Sequence, residues 1–502
     1  MATLLDPLPV IDAAVAAVTD PGDRAQIANA VGSVGPELLL ALMHGGGDAG
    51  QGELVARGIG VSPGVASGVV ARSIDAALDA FDAELDVILA MEETSPADEV
   101  AMRIASAIVT SRGGTASHAA VVARDLGVPC VVGAGPLGVV DGERLMVDGA
   151  TGEVRRPVVG GAGPSAPDAT VDQRSTPDPS TARSGPIEDL PESVATLLAW
   201  ADELATVRVL ANADSADSAA RSRRFGARGV GLCRVEHMFL GERAQIVERV
   251  LGGSTSAFDE LAGVMTSELI GVFSAMAPWP VTVRLLDAPR HEFGGPHEHD
   301  PMMGVRGVRL ALLHPELVVA QATAIAAAAS QVDGADPQIM VPLVSLPGEL
   351  AAVADWIAAA APGVPIGVMV ETPRSAMCAD RLAGHASFIS FGTNDLTQFT
   401  YGWSRDDLEA TMLPAYREHG IVDVSPFETL DEGGVARLMA LATEIARAAR
   451  PGLTVGMCGE HGGDPRSVAM ATAMGLDSVS CSAYRVPVAR LAAGRAVVES
   501  SR

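Results

Sequence analysis

The sequence predicts an α/β protein in which a small β/α domain is joined by a flexible linker to a C-terminal (β/α)8 TIM barrel. Three observations carry this. Eight β-type runs alternate with helical sequence over 189–502, the pattern of strands that need crossover helices to lie parallel. Residues 157–188 are rich in Gly, Pro, Ser and Thr without hydrophobic periodicity, a composition that cannot bury a core. Before that stretch, short Val-rich runs separated by turns occupy 54–156, enough chain for one compact module.

Taken in order, residues 1–53 predict a short helical region. Ile11 to Val18 and Ala25 to Leu42 carry helical apolar spacing, and Gly45-Gly46-Gly47 closes the segment. The module over 54–156 has β-type runs at Gly64–Val70, Asp86–Ala90, Ile108-Val109, Val131–Gly133 and Leu145–Gly149. The barrel strands are expected at Val207–Ala211, Gly229–Cys233, Val281–Leu286, Ile339–Leu343, Ile366–Val370, Ser387–Phe391, Thr454–Cys458 and Ser478–Cys481.

Composition narrows the chemistry. The net charge of −27 argues against nucleic acid and anionic membrane surfaces as partners. No apolar run reaches spanning length and the N-terminus lacks a basic region, so a cytoplasmic location is expected. The five cysteines are scattered without CxxC spacing, which implies a reducing compartment and neither a disulfide nor a zinc framework. All 35 basic residues are arginine. A Schiff base, a P-loop lysine and a lysine general base are therefore excluded, and anions must be held by Arg, backbone N–H groups or a metal.

One stretch stands out in the first module, Arg112-Gly113-Gly114-Thr115-Ala116-Ser117-His118 followed by Ala- and Val-rich helical sequence. Two glycines open a turn, Ser117 sits where a helix is capped, and His118 falls in the first helical turn. Free N–H groups and the positive helix end suit an anion there, in particular a phosphoryl group on the imidazole. Taken alone, the motif is read equally well as a capping turn with an incidental histidine.

The barrel supplies a test, because barrel active sites gather at the C-terminal ends of the strands. Arg234 and Glu236 follow strand two, Arg284 and Asp287 close strand three, and Glu371 ends strand five. Thr393-Asn394-Asp395 ends strand six and Cys458-Gly459-Glu460-His461 ends strand seven. Glu371 and Asp395 offer hard oxygen ligands suited to Mg2+ or Mn2+. Arg234, Arg284 and Arg306 can clamp a phosphoryl group and a carboxylate by forked hydrogen bonds. Cys458 is either an acid–base thiol or a packed strand-end cysteine. The histidines and glutamates of His291–His299 match no zinc spacing, and they are expected to form a polar loop.

These motifs resemble the pyruvate, phosphate dikinase family and, more loosely, the wider family of phosphoenolpyruvate-utilising enzymes. The resemblance runs from about Gly58 onward through long motifs in the same order. They are Glu92–Pro96, the His118 segment, Gly231–Phe239, Val283–Asp287, Asp300–Gly307, Phe391–Gln398 and Cys458–Pro465. It implies that His118 is the phosphorylated histidine of a swivelling domain. It implies further that Arg234, Arg284 and Arg306 bind the substrate's phosphoryl and carboxylate groups, with Gly392, Thr393 and Asn394 lining its site. Glu371 and Asp395 would hold Mg2+, Cys458 would protonate the methylene carbon as phosphoenolpyruvate becomes pyruvate, and the barrel would form a homodimer.

Two departures qualify the resemblance. The dikinases carry a large N-terminal ATP-grasp domain, whereas only the short region before 54 precedes the module here. The expectation is therefore a phosphoenolpyruvate/pyruvate half-reaction on His118, with the nucleotide half supplied by a separate polypeptide. The family usually has Thr two positions before the histidine, a target of regulatory phosphorylation in some members; this chain has Ala116, so that regulation is expected to be absent. Two alternatives stand beside this reading. One is a phosphotransfer enzyme like the first enzyme of the sugar phosphotransferase system, passing phosphate to a small carrier protein. The other is a phosphoenolpyruvate-binding regulator without turnover.

Overall fold

The structure is a computed structural model that describes residues 7–43, 52–83, 85–95, 98–115, 117–157, 189–239, 243–295, 298–409 and 411–501. The linker expected over 157–188 lies outside the described residues except for Pro157, as do Gly45–Gly47, Ala116 and His297. Contacts divide the chain into two compact units: one spans 41–187 with the first seven residues, the other joins Leu8–Leu40 to Glu188–Arg502.

The first unit is built on an eight-stranded sheet of β1 (Gly52–Arg57), β2 (Ile59–Ser62), β3 (Val65–Ala71), β4 (Val87–Met91), β5 (Ala107–Thr110), β6 (Cys130–Val132), β7 (Arg144–Asp148) and β8 (Glu153–Pro157). Its order is β1-β8-β7-β3-β4-β5-β6-β2. The neighbours β3-β4-β5-β6 are parallel, and the outer pairs are antiparallel. Helices Ile74–Asp82, Glu99–Ile104 and His118–Leu126 make the crossovers that parallel pairing requires. Side chains alternate cleanly across the central strands. Val87, Leu89 and Ile108 pack with Ala119, Ala120 and Ala123 of the His118 helix, while Ile88, Ala90 and Val109 pack with Leu145 and Val147. Both faces of these strands are covered, which is why they read as continuous apolar runs rather than alternating ones.

The second unit contains a closed barrel of eight strands: β9 (Arg208–Asn212), β10 (Val230–Arg234), β11 (Pro280–Arg284), β12 (Asp336–Val341), β13 (Ile366–Val370), β14 (Phe388–Gly392), β15 (Thr454–Cys458) and β16 (Ser478–Cys481). All neighbours are parallel, and β16 closes on β9 with Ser478 opposite Arg208 and Cys481 opposite Ala211. Every expected barrel strand is present. β11 stops at Arg284 rather than Leu286. Leu285 and Leu286 remain buried, but the Leu286 N–H is taken by the Gln321 side chain instead of a neighbouring strand.

The first helices do not form a separate region over 1–53, as the sequence suggested. Helices Pro7–Ala16, Arg24–Ser33 and Pro36–Met43 are counted, up to Leu40, with the barrel unit. Ile27, Ala30 and Val31 are buried where Arg24–Ser33 meets helices Glu192–Leu204 and Val486–Ser500. Arg495 of the last helix donates to the Val34 carbonyl at 2.5 Å, capping a helix end that burial would leave unsatisfied. Among the described residues no single helix is long and apolar enough to cross a membrane.

Candidate active site

In the first unit, His118 is the first residue of its helix, directly after β5 and the glycine turn. Thr110 at the end of β5 donates its hydroxyl to the Arg112 carbonyl at 2.6 Å, and Gly113 takes φ +108°, a left-handed conformation that disfavours other residues. Ser117 caps the helix, its Oγ accepting from the Ala120 N–H at 3.4 Å, and Gly127 ends it in the left-handed conformation. Ala119 and Ala120 pin the helix to the sheet while His118 stays partly exposed. The expected carrier histidine is thus half-buried at its helix N-terminus, with Nε2 shielded from solvent.

In the second unit, the strand ends bring together an ionic network. Arg284, the last residue of β11, pairs with Glu236 and reaches Asp287 Oδ2 at 3.0 Å. Arg306 bridges Asp287 Oδ2 at 2.8 Å and Asp395 Oδ2 at 3.2 Å, its Nε donates to the Asp287 carbonyl at 3.0 Å, and Met302 Sδ accepts from its Nη1 at 3.1 Å. Burial works against the charge on both arginines, but the facing carboxylates outweigh it and hold both pKa values above the ordinary guanidinium range. Arg234 ends β10. Its backbone N–H donates to Asp214 Oδ1 at 2.6 Å, and its guanidinium stands 3.8 Å from Asp214 Oδ2, leaving the fork less engaged than those of the other two. His237 Nδ1 lies 2.8 Å from the same carboxylate; burial opposes its protonation, yet Asp214 raises its pKa.

Asp287, Glu371 and Asp395 converge, each offering a carboxylate oxygen within 4.8 Å of the others. Glu371 follows β13, and its Oε1 accepts the Leu343 N–H at 2.5 Å. Asp395 is held from its other oxygen by Gln398 Nε2 at 3.1 Å. Burial, then the charges of Asp287 and Asp395, drive the Glu371 carboxyl well above the usual carboxylate range. This buried surplus of negative charge on hard oxygen donors is what a divalent cation such as Mg2+ would relieve. The residues therefore fit the expected metal. The sequence reading placed Asp287 at a strand end without assigning it as a ligand; its partner position, two strands from Glu371, is visible only once the barrel closes.

Cys458 ends β15, nearly fully buried. Its Sγ lies 3.5 Å from the Phe391 carbonyl, and burial pushes the thiol up to about 11, against a lowering hydrogen bond from Ser390. Thr393 Oγ1 reaches the Cys458 carbonyl at 3.0 Å, and Asn394 Oδ1 accepts from the Glu460 N–H at 3.4 Å. Gly392 leaves room for Glu371, since a Cβ there would come within 2.6 Å of its Oε2. The structure thus gathers Arg234, Arg284, Arg306, Glu371, Asp395, Cys458 and the Gly392–Asn394 segment at the strand ends of one barrel. Asp214, His237 and Gln398 join them; His237 and Gln398 lie inside the Gly231–Phe239 and Phe391–Gln398 motifs, the signal that marks them in the sequence, whereas Asp214 lies outside every motif and carries none. In the His291–His299 loop, Glu298 accepts from the Val305 N–H at 2.9 Å, a loop-ordering role, and no metal-type group forms there among the described residues.

A barrel that carries acids, arginines and a buried thiol at its strand ends, in a chain that also has a β/α module with a histidine at a helix N-terminus, defines a class, and sequence comparison agrees with it. Residues 189–497 match the PEP-binding domain of the PEP-utilising enzymes and 83–152 match their mobile domain; the chain belongs to this family. Its relatives include the chloroplastic pyruvate, phosphate dikinase 1 of Arabidopsis thaliana, 40% identical with 94% of this chain and 53% of the relative covered. The rice counterpart (Oryza sativa subsp. japonica) is 41% identical over 89% of this chain and 51% of the relative. The pyruvate, phosphate dikinase of Rhizobium meliloti (strain 1021) is 39% identical over 93% and 56%. The chain spans about half the length of these relatives.

Proposed function

We propose that this chain moves a phosphoryl group between phosphoenolpyruvate and His118, releasing or taking up pyruvate, in the manner of the pyruvate, phosphate dikinases it resembles. The observation that carries the reading is the grouping at one barrel mouth of three arginines, three close carboxylates and a protonated thiol. Arg234, with the freest fork, together with Arg284 and Arg306, would hold the phosphoryl and carboxylate groups of the substrate. Glu371, Asp395 and Asp287 would hold Mg2+, which when bound neutralises charge that develops on the substrate's oxygens. Gly392, Thr393 and Asn394 would line the site. The His118 imidazole takes the phosphorus as the bond to the C2 oxygen breaks; C3 then takes the Cys458 proton while C2–O becomes the carbonyl of pyruvate. A homodimer through the barrel belongs to this proposal through the resemblance.

The test is incubation of the purified protein with Mg2+ and phosphoenolpyruvate labelled in its phosphate. Acid-labile label at His118 with equimolar pyruvate is expected, and none in His118→Ala. No labelling would sink the reading and leave phosphoenolpyruvate binding without turnover. If label loads, discharge to AMP with pyrophosphate marks the dikinase route, and discharge only to a carrier protein marks the sugar-phosphotransferase alternative.

A further inference from the structure

Asp214 and His237 have no part in the substrate contacts proposed above, yet both stand against Arg234. Asp214 lies two residues beyond β9 on a turn that is fixed from both sides. The Ala213 N–H donates to the Leu232 carbonyl at 3.1 Å, and Ser215 caps helix Ala216–Arg224 by accepting the Ser218 N–H at 3.2 Å. His237 belongs to the short helix Val235–Phe239, which buries Val235, Met238 and Phe239.

Both oxygens of Asp214 are already bonded. Oδ1 accepts the Arg234 backbone N–H at 2.6 Å, and Oδ2 lies 2.8 Å from His237 Nδ1. Burial works against the Asp214 carboxylate, but the facing His237, then Arg234, hold its pKa below the ordinary value. An ionised carboxylate only accepts, so His237 Nδ1 carries the hydrogen of that bond. The Arg234 guanidinium stands 3.8 Å from Oδ2, beyond hydrogen-bond reach. The other two arginines differ: Arg284 is closed onto Glu236 and Asp287, and Arg306 onto Asp287 and Asp395. A carboxylate this near to a guanidinium ordinarily takes it in a close pair. At Arg234 the oxygen that faces the fork is occupied by the imidazole.

We propose that His237 is a positioning residue that, by bonding Asp214 Oδ2, keeps Asp214 from closing on the Arg234 guanidinium and leaves that fork for an anionic group of the substrate. This rests on the function proposed above, in which Arg234 is a substrate ligand. Asp214 then anchors the backbone of Arg234 without competing for its side chain. Without the imidazole, Oδ2 takes the guanidinium, and the substrate must displace it.

The test is isothermal titration calorimetry with phosphoenolpyruvate and Mg2+, with His118→Ala in every protein so that no transfer follows binding. His237→Phe keeps the bulk of the ring without its donor, and it is expected to raise the dissociation constant about 10-fold, the order of one charge-assisted hydrogen bond. Adding Asp214→Asn removes the charge that captures Arg234, while its amide oxygen still accepts the Arg234 N–H. The double variant is expected to regain most of the lost affinity, which damage to packing alone would not allow. His237→Leu carries the same test if His237→Phe does not fold. In an Arg234→Ala protein, which itself binds weakly, His237→Phe is expected to cause no further loss. Undiminished binding in both His237 variants, no recovery on adding Asp214→Asn, or a further loss on top of Arg234→Ala overturns the proposal. Undiminished binding in Arg234→Ala alone overturns the assignment of Arg234 to the substrate, and this proposal with it.

Discussion

Cys458 is where side-chain environment and proposed chemistry meet most directly. A thiol pushed by burial from 9.0 to about 11 is protonated throughout the neutral range, the state an acid needs and a nucleophile does not. Pyruvate formation is therefore expected to show no loss of the Cys458 proton below about pH 10. Cys458→Ala is expected to slow it about 10²-fold or more while phosphoenolpyruvate still binds, as read by single-turnover pyruvate assay. The same shift bears on stability. Because the folded pKa is the higher, its contribution is complete below 9.0 and is lost as pH rises towards 11. Cys458→Ala is expected to flatten that part of the alkaline unfolding curve. Arg306 shows the other extreme, a buried cation shared between Asp287 and Asp395. Arg306→Ala leaves those carboxylates short of a partner and is expected to cost about 3–5 kcal/mol by urea unfolding. Lys at this position returns the charge but not the fork, so only part of that loss should be recovered. Most of these residues could be picked from the sequence because strand ends could be counted. Asp214 and the ligand role of Asp287 could not, since their meaning depends on which loops the barrel brings side by side; His237 and Gln398 sit in conspicuous motifs, but their partners Asp214 and Asp395 show only in the fold.

At the scale of elements, the barrel strands were legible for a physical reason. They are buried parallel strands, so most carry a short, largely apolar core that runs into site residues, as in Ile366–Val370 before Glu371 and Phe388–Gly392 before Thr393. The strands that sequence reasoning missed, β1, β2 and β8, are at or near the sheet edge, where Arg57, Glu153 and Arg155 replace apolar side chains and pair with one another. The loops after the strands are legible only through glycine, and Gly459 shows how much they matter. Its left-handed backbone disfavours any Cβ, and that Cβ would also strike Thr393. Gly363, at φ +84° with nothing within 4 Å, has the first problem without the second. Gly363→Ala is expected to cost about 1–2 kcal/mol from backbone strain alone. Gly459→Ala is expected to exceed it and to weaken phosphoenolpyruvate binding as Thr393 and Asn394 are displaced, which thermal unfolding and calorimetric titration would show together.

At the scale of the whole molecule, the sequence separated three regions along the chain, but contacts join the first to the last. The N-terminal helices precede the His118 module in sequence, yet they are counted with the barrel unit, where Ile27, Ala30 and Val31 are buried and Val34 receives Arg495. Nothing in an amphipathic run of ten residues says which distant surface it will cover, so only the fold reveals this. The consequence is asymmetric. Removing residues 1–40 takes no strand from the sheet that carries His118, but it uncovers helices Glu192–Leu204 and Val486–Ser500 on the barrel. Each fully buried aliphatic side chain removed takes away about 1.5–3 kcal/mol of burial, offset by the chain entropy no longer lost in ordering three helices. The net effect is expected to lower the melting temperature of the barrel while that of the first unit stays in place. Differential scanning calorimetry of the two chains tests this, with phosphoenolpyruvate and Mg2+ added to mark the barrel transition by shifting it upward. A peptide spanning 7–43 added to the shortened protein should restore part of the loss. An unchanged barrel transition would mean that these helices cover a surface whose burial the barrel does not need.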